Sequence, residues 1–173
     1  MAVTDSRESL LHRIRVFIVD DHPAVRHAVA TVLAAFPDFE LAGQACGVAE
    51  ALWLCPYVRP DIVLMDISLP GIGSAAATRA ILDYCPSSRV ICTCTFQEEE
   101  LIPKALSAGA VCCLLKNVSA DELASAIRAA YLMPSPTASA IPCEQQGIKN
   151  PRVGFDSHGI HRAFVYGAGG RPI

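Results

Sequence analysis

From Arg15 onward the chain alternates short apolar, largely β-branched runs with Ala-rich stretches whose apolar residues recur at helical spacing. One cycle takes roughly 20–25 residues, a rhythm that predicts strands each followed by a helix. The runs RVFIV, FELAG, IVLM, VICTC and VCCLL place strands at Arg15–Val19, Phe39–Gly43, Ile62–Met65, Val90–Cys94 and Val111–Leu115. Helices are predicted over Pro23–Ala35, Val48–Cys55, Ser74–Tyr84, Glu98–Ala108 and Ala120–Tyr131. Four of the five strands are apolar almost throughout, as in a parallel sheet covered on both faces. The expected fold class is therefore α/β, a (βα)5 doubly wound, five-stranded parallel sheet.

Local signals mark the ends of these elements. Pro23 suits a first helical turn. Ser119, with Glu122 three residues on, has the form of a capping box. Gly109 stands after the fourth helix, where a left-handed residue ends a helix well. Pro103 conflicts with its surroundings, because an interior proline removes a backbone donor and kinks the helix. The fourth helix is expected to bend or to start late. After Met133 the periodicity stops, and residues 134–173, rich in Pro, Gly, Ser and Ala, read as a linker or disordered tail. The expected division is an N-terminal extension at 1–13, one domain at 14–133 and the tail.

Composition narrows the class. The 173 residues are 52% hydrophobic and 18% charged, which argues for a packed body and against a wholly disordered chain. Net charge is −3, giving no general field toward nucleic acid. The balance is uneven: residues 1–133 hold ten basic and fifteen acidic residues, whereas 134–173 hold four and two. Neither a secretory signal nor an apolar run of the ~18 residues that a membrane span needs is present, so a cytoplasmic protein without membrane contact is expected. In that reducing setting the eight cysteines are expected to be thiols, most of them small core residues.

The chemistry gathers at one edge of the predicted sheet. In a doubly wound sheet, ligands bind beyond the carboxyl ends of the strands, where the strand order reverses. The first strand runs into Asp20 and Asp21, the third into Asp66 and the fifth into Lys116. Any one aspartate after a strand is more often a cap or turn residue. Three acids and a lysine at the same edge of a five-fold repeat are a different matter. Carboxylates about 4 Å apart repel by ~4 kcal/mol per pair at an effective dielectric near 20, so cationic charge is needed among them. Mg2+ suits a few carboxylates completed by water and a phosphate oxygen.

The segments FIVDDHPAVR (17–26), VLMDISLPG (63–71) and AGAVCCLLKNVSADEL (108–123) resemble the signature blocks of the bacterial response-regulator receiver domain, in particular of NarL/FixJ-type regulators. The resemblance covers about residues 14–131. It implies a flavodoxin-like receiver fold and a two-component phosphorelay, in which Asp66 accepts a phosphoryl group from a sensor histidine kinase. It further implies that Asp21 ligates Mg2+ directly, Asp20 through water and Ser68 through its backbone carbonyl, with Asp66 also at the metal and Lys116 bonding the phosphoryl oxygens. A homodimer through the face around helices four and five is implied as well, although Pro103 falls within it.

Two departures from the family pattern bear on signalling. Where the family has a hydroxyl at the end of strand four, this chain has Cys94, so Thr95 just past the strand is the expected substitute. Cys113 takes the place of the aromatic switch residue three positions before the lysine. A rival reading follows: a pseudo-receiver that binds a partner without being switched by phosphorylation. A dehalogenase-like phosphatase would need a second Asp where Ser68 stands. Cys92, Cys94, Cys112 and Cys113 invite a metal or redox reading, but adjacent 112 and 113 must point to opposite faces. His22 and His27 are expected to play no catalytic part, His158 and His161 form no cluster, and the terminal GAGG at 167–170 lacks the context of a phosphate loop. Such regulators usually carry a helix-turn-helix domain of ~60 residues. A 40-residue tail without helical periodicity is too short for one, so direct DNA binding is not expected of this chain. The abrupt break near Met133 is read as a truncated or frame-shifted output domain.

Overall fold

The computed structural model describes residues 12–133. Five parallel strands, β1 (Ile14–Val19), β2 (Phe39–Ala45), β3 (Ile62–Asp66), β4 (Arg89–Cys94) and β5 (Cys112–Leu115), lie in the order β2-β1-β3-β4-β5. They alternate with α1 (Pro23–Ala34), α2 (Val48–Val58), α3 (Ser74–Tyr84), α4 (Ile102–Ser107) and α5 (Ala120–Leu132). This is the expected (βα)5 architecture. The order reverses between β1 and β3, which makes their carboxyl ends the edge where a crevice opens. Among the described residues no helix is long and apolar enough to cross a membrane. The predicted extension (through residue 11) and the tail lie outside the described residues.

The strands are apolar throughout because each buries both faces. On one side Phe17, Val19, Val63, Met65, Val90 and Cys92 pack against Ala51 and Cys55 of α2, Ala77 and Ile81 of α3 and Ala105 of α4. On the other, Val16, Ile18, Leu64, Ile91 and Leu114 pack against Leu33 of α1 and Leu123, Ala124 and Ile127 of α5. Alternation along β5 sends Cys113 to the first side and Cys112 to the second, so the four thiols of β4 and β5 do not converge.

Most element ends agree with expectation to within one residue; three differ by more, each for a local reason. Strand β2 runs two residues further, to Ala45, and its register against β1 shifts between Val16 and Phe17. Gly43 lies over the Phe17 ring there, where a Cβ would come within 3.1 Å. Helix α2 continues past Cys55 to Val58 with Pro56 inside its last turn, where one backbone bond is forgone. It stops at Arg59, whose N–H makes the last helical bond to the Cys55 carbonyl at 2.9 Å and whose left-handed backbone (φ 43°) turns the chain out of the helix. Pro60 then bars a further helical turn. The stretch predicted as the fourth helix divides, with a 3-10 segment over Phe96–Leu101 followed by α4, which carries Pro103 in its first turn. The late start expected from Pro103 is thus observed.

Gly109 follows α4 with φ 112°, and a Cβ built on it would lie 2.7 Å from Leu82 Cδ1. Both strain and contact oppose any side chain there. Gly109→Ala is expected to cost about 1–3 kcal/mol, read as a lower urea midpoint at unchanged slope.

Candidate functional site

Each predicted chemical group is delivered by a strand whose neighbours are fully buried, so its backbone is fixed. Asp20 follows β1, its N–H donating to the Ala45 carbonyl at 3.2 Å. Asp66 closes β3 opposite Thr93 of β4, and the next N–H, of Ile67, donates to the Thr93 carbonyl at 2.9 Å. The residue after Leu115, Lys116, is tied by its own N–H to the Cys94 carbonyl at 2.8 Å. The switch-point edge thus gathers groups that are 46 to 96 residues apart in the chain.

Lys116 stands between two buried carboxylates. Its Nζ lies 2.8 Å from Asp66 Oδ2 and 2.9 Å from Asp20 Oδ2. Asp66 and Asp20 are 1% and 2% exposed, so neither charge is screened by bulk water. Burial alone would pull the Lys116 ammonium down, but hydrogen bonds and charges from Asp66 and Asp20 outweigh it and hold the group above the ordinary lysine value. The two pairings are not equal. Lys116 donates a well-formed hydrogen bond to Asp66, whereas Asp20 Oδ2, close as it is, has no aligned donor. It is an ion-paired oxygen with unused lone pairs.

The other oxygen of Asp66 is held by Ser68, whose N–H and hydroxyl both donate to Oδ1, at 3.1 and 3.0 Å. Ser68 and Lys116 together cover both oxygens of the carboxylate. Ser68 is itself exposed, and rotation of its χ1 frees one lone pair of Oδ1.

Carboxylate oxygens of Asp20, Asp21 and Asp66 and a ring nitrogen of His22 all lie within 4.8 Å of one another. His22 Nδ1 is 2.8 Å from Asp21 Oδ1 and 3.3 Å from Asp20 Oδ1, and the His22 backbone N–H donates to Asp20 Oδ1 at 2.8 Å. Set against Lys116, the three acids leave two uncompensated negative charges. This, together with the orphaned oxygen of Asp20, fits a divalent cation. The preponderance of oxygen favours Mg2+, which binds imidazole poorly. His22 then serves the carboxylates rather than the ion.

The positions named as departures are also resolved. Cys94 is buried, its Sγ donating to the Leu114 carbonyl at 3.5 Å. Burial, and then the charges of Glu98, Glu99 and Asp66 with the Cys92 thiol, push its pKa up to about 12. Cys113 lies opposite Cys92 in the β4–β5 register. The Cys92 contact and then burial drive its thiol upward too. Six of the seven described cysteines are buried, and Cys55, Cys85, Cys94, Cys112 and Cys113 are pushed above the ordinary thiol value, which makes them poor nucleophiles. Thr95 is exposed and starts the 3-10 segment, its N–H donating to Glu98 at 2.7 Å.

Glu98 is the residue that sequence reading placed only as a helix start. Burial raises its carboxyl, but the Thr95 N–H, the Ser68 hydroxyl, the Thr95 side chain and the Lys116 charge together hold it below the ordinary value. A chain of polar contacts therefore runs from Asp66 through Ser68 and Glu98 to Thr95. His27 lies exposed on α1, away from this chain; His158, His161 and the GAGG end lie outside the described residues.

Residues 16–128 match the response regulator receiver domain family, and the chain belongs to it. Among curated proteins, the transcriptional regulatory protein LiaR of Bacillus subtilis is 37% identical over 117 residues, covering 68% of this chain and 56% of LiaR. The response regulator GacA of Pseudomonas viridiflava is 36% identical over 118 residues, covering 68% of this chain and 55% of GacA. The chain thus spans about half the length of these relatives. Of solved structures, the receiver domain of the putative response regulator NarL from Mycobacterium tuberculosis superposes with a TM-score of 0.64 at 30% identity, covering 69% of this chain and 97% of that domain. The response regulator domain of Thermotoga maritima CheB gives 0.64 at 29%, over 71% and 99%.

Proposed function

We propose that the chain is a phospho-accepting receiver of a two-component phosphorelay, in which Asp66 takes a phosphoryl group from a phosphohistidine of a sensor kinase in the presence of Mg2+. The reading rests above all on the buried Asp66–Lys116–Asp20 arrangement at the switch point. In the step, a carboxylate oxygen of Asp66 forms a bond to phosphorus while the P–N bond of the donor breaks. The electron pair stays with the imidazole, which then takes a proton from water. Asp66 is fixed in direction by β3 and by the Ser68 N–H. The oxygen that reacts on this reading is Oδ1, which loses one of its two donors when the exposed Ser68 hydroxyl rotates away, while Oδ2 stays bonded to Lys116.

Lys116 stabilises negative charge on the incoming phosphoryl oxygens, because its raised pKa keeps it cationic and its backbone is anchored. Asp20, Asp21 and Asp66 would hold the Mg2+, with the Ser68 carbonyl as a further ligand; when bound, the ion supplies charge neutralisation between phosphate and carboxylates. The chain from Ser68 to Glu98 and Thr95 would carry the change to α4, taking the part of the missing switch hydroxyl at Cys94. The names of the relatives point to transcription regulation as the pathway's output. On this reading the protein works in the cytoplasm.

Incubation with a small acyl phosphate tests the assignment by intact mass. A gain of one phosphoryl group is expected that requires Mg2+ and does not form when a chelator is present before the donor is added. A protein that stays unmodified at saturating donor and Mg2+ would favour a receiver that binds partners without being switched.

A further inference from the structure

Helix α1 is poorly buried for an element that covers a sheet. Only Leu33 is fully enclosed; the inward-facing Val25, Val29 and Val32 remain partly exposed. The reason is a cavity of about 190 Å3 between α1, α5 and the sheet. Its walls are Val25, Ala28 and Val29 of α1, Leu64 and Leu114 of the sheet and Leu123 of α5. Thr93, on the face of β4 opposite Cys92 and Cys94, also lines it. The Thr93 hydroxyl makes no hydrogen bond among the described residues, and it is the one hydroxyl of β4.

We propose that this cavity is a binding site for a small neutral aromatic molecule carrying one hydroxyl or ring N–H, a phenol or an indole, anchored on the Thr93 hydroxyl. Size selects the ligand: an apolar cavity of about 150 Å3 is enough to take up benzene, so 190 Å3 admits one ring with a substituent or a fused pair. Polarity selects it further. Apart from Asp20, Lys116, Ser119 and Thr93 the lining is aliphatic, which disfavours sugars, and the Thr93 hydroxyl gives orientation to a ligand with one polar atom. An anion is disfavoured, because Asp20 lines the inner end and Lys116 is already engaged by Asp66 and Asp20. The site does not depend on phosphoryl chemistry, although an occupant would lie beneath the backbone that holds Asp20 and Lys116.

The test is a titration of the full chain with phenol, indole and toluene, followed by saturation-transfer NMR and by backbone amide shifts. Phenol and indole are expected to saturate with Kd on the order of a millimolar or below, with shifts confined to α1, the start of α5 and Thr93. Toluene, which matches phenol in shape without a donor, should bind about tenfold more weakly. Thr93→Val should remove that difference while leaving toluene unchanged, and Val29→Trp, which fills the cavity, should abolish all three. Should Val29→Trp fail to fold by circular dichroism, Ala28→Phe, at an exposed position on the rim, obstructs the same opening. Shifts scattered over other surfaces, no saturation, or full binding by the filled variant would overturn the site; equal affinity for phenol and toluene in the wild type would overturn the role of Thr93.

Discussion

Asp66→Asn is expected to abolish phosphoryl uptake outright while leaving the protein folded. The amide is nearly isosteric and keeps an oxygen for the two donors of Ser68, but it is not a nucleophile toward phosphorus. The charge balance decides whether the fold survives. Losing the 2.8 Å attraction to Lys116 forfeits about 6 kcal/mol at an effective dielectric near 20. Losing the repulsions with Asp20 and Asp21, whose oxygens lie within 4.8 Å, returns at least about 3–4 kcal/mol for each of the two. The terms nearly cancel, so the unfolding midpoint should move little. Intact mass after incubation with acyl phosphate and Mg2+ checks the first half, and urea unfolding the second. Uptake retained by the folded variant would move the acceptor to another carboxylate and remove Asp66 from the role.

What could be read from the sequence was whatever a strand imposes by itself. Strands β1, β3, β4 and β5 are buried on both faces, so their residues are apolar in unbroken runs, and the polar residue that ends each run must lie at the sheet edge. Asp20, Asp66 and Lys116 were legible for that reason. The Ser119–Glu122 box and Gly109 were legible because caps act over three or four residues. Features that arise only when distant segments meet were not. Arg128 forms two hydrogen bonds to Asp38, 90 residues away, and lies over the Phe36 and Phe39 rings; neither partner carries a local signal.

His22 was seen as a neighbour of the acids, but its approach to both carboxylates follows from the extended backbone before α1, which spacing does not show. Glu98 was hidden by the run of three glutamates, any of which reads as a solvated helix face. Helix α2 ran on past Pro56 because a proline one turn from the end forfeits a single bond, less than burial of Cys55 and Val58 returns. The openness of α1 had no sequence signature at all, since its valines recur at the same spacing as in a packed helix.

Lys116→Met should give the largest loss of stability and introduce a pH dependence between pH 5 and 8 that Lys116 does not give the wild type. In the wild type the Lys116 pKa is raised in the folded state, so its contribution is fully present below the unfolded value of 10.5 and is lost as pH rises through the folded value. Stability near neutrality is therefore insensitive to this group. Methionine keeps the apolar stem and removes the only lysine or arginine paired with Asp20 and Asp66 among the described residues. Two buried carboxylates without a cation cost about 3–5 kcal/mol at neutral pH. They relieve it by holding protons, so their folded pKa values rise above the unfolded ~3.9. A folded state that binds more protons than the unfolded one is most stable at low pH and weakens as pH rises through the raised values. Unfolding free energies of the variant should be larger at pH 5 than at pH 8, by up to about 1.4 kcal/mol per pH unit for each proton retained, while the wild type changes little. Millimolar Mg2+ should stabilise the variant at pH 8 more than the wild type, because it replaces the missing charge. A loss equal at both pH values and indifferent to Mg2+ would mean that Lys116 does not balance the acids, and with it the electrostatic basis for placing a phosphoryl group beside Asp66 would go.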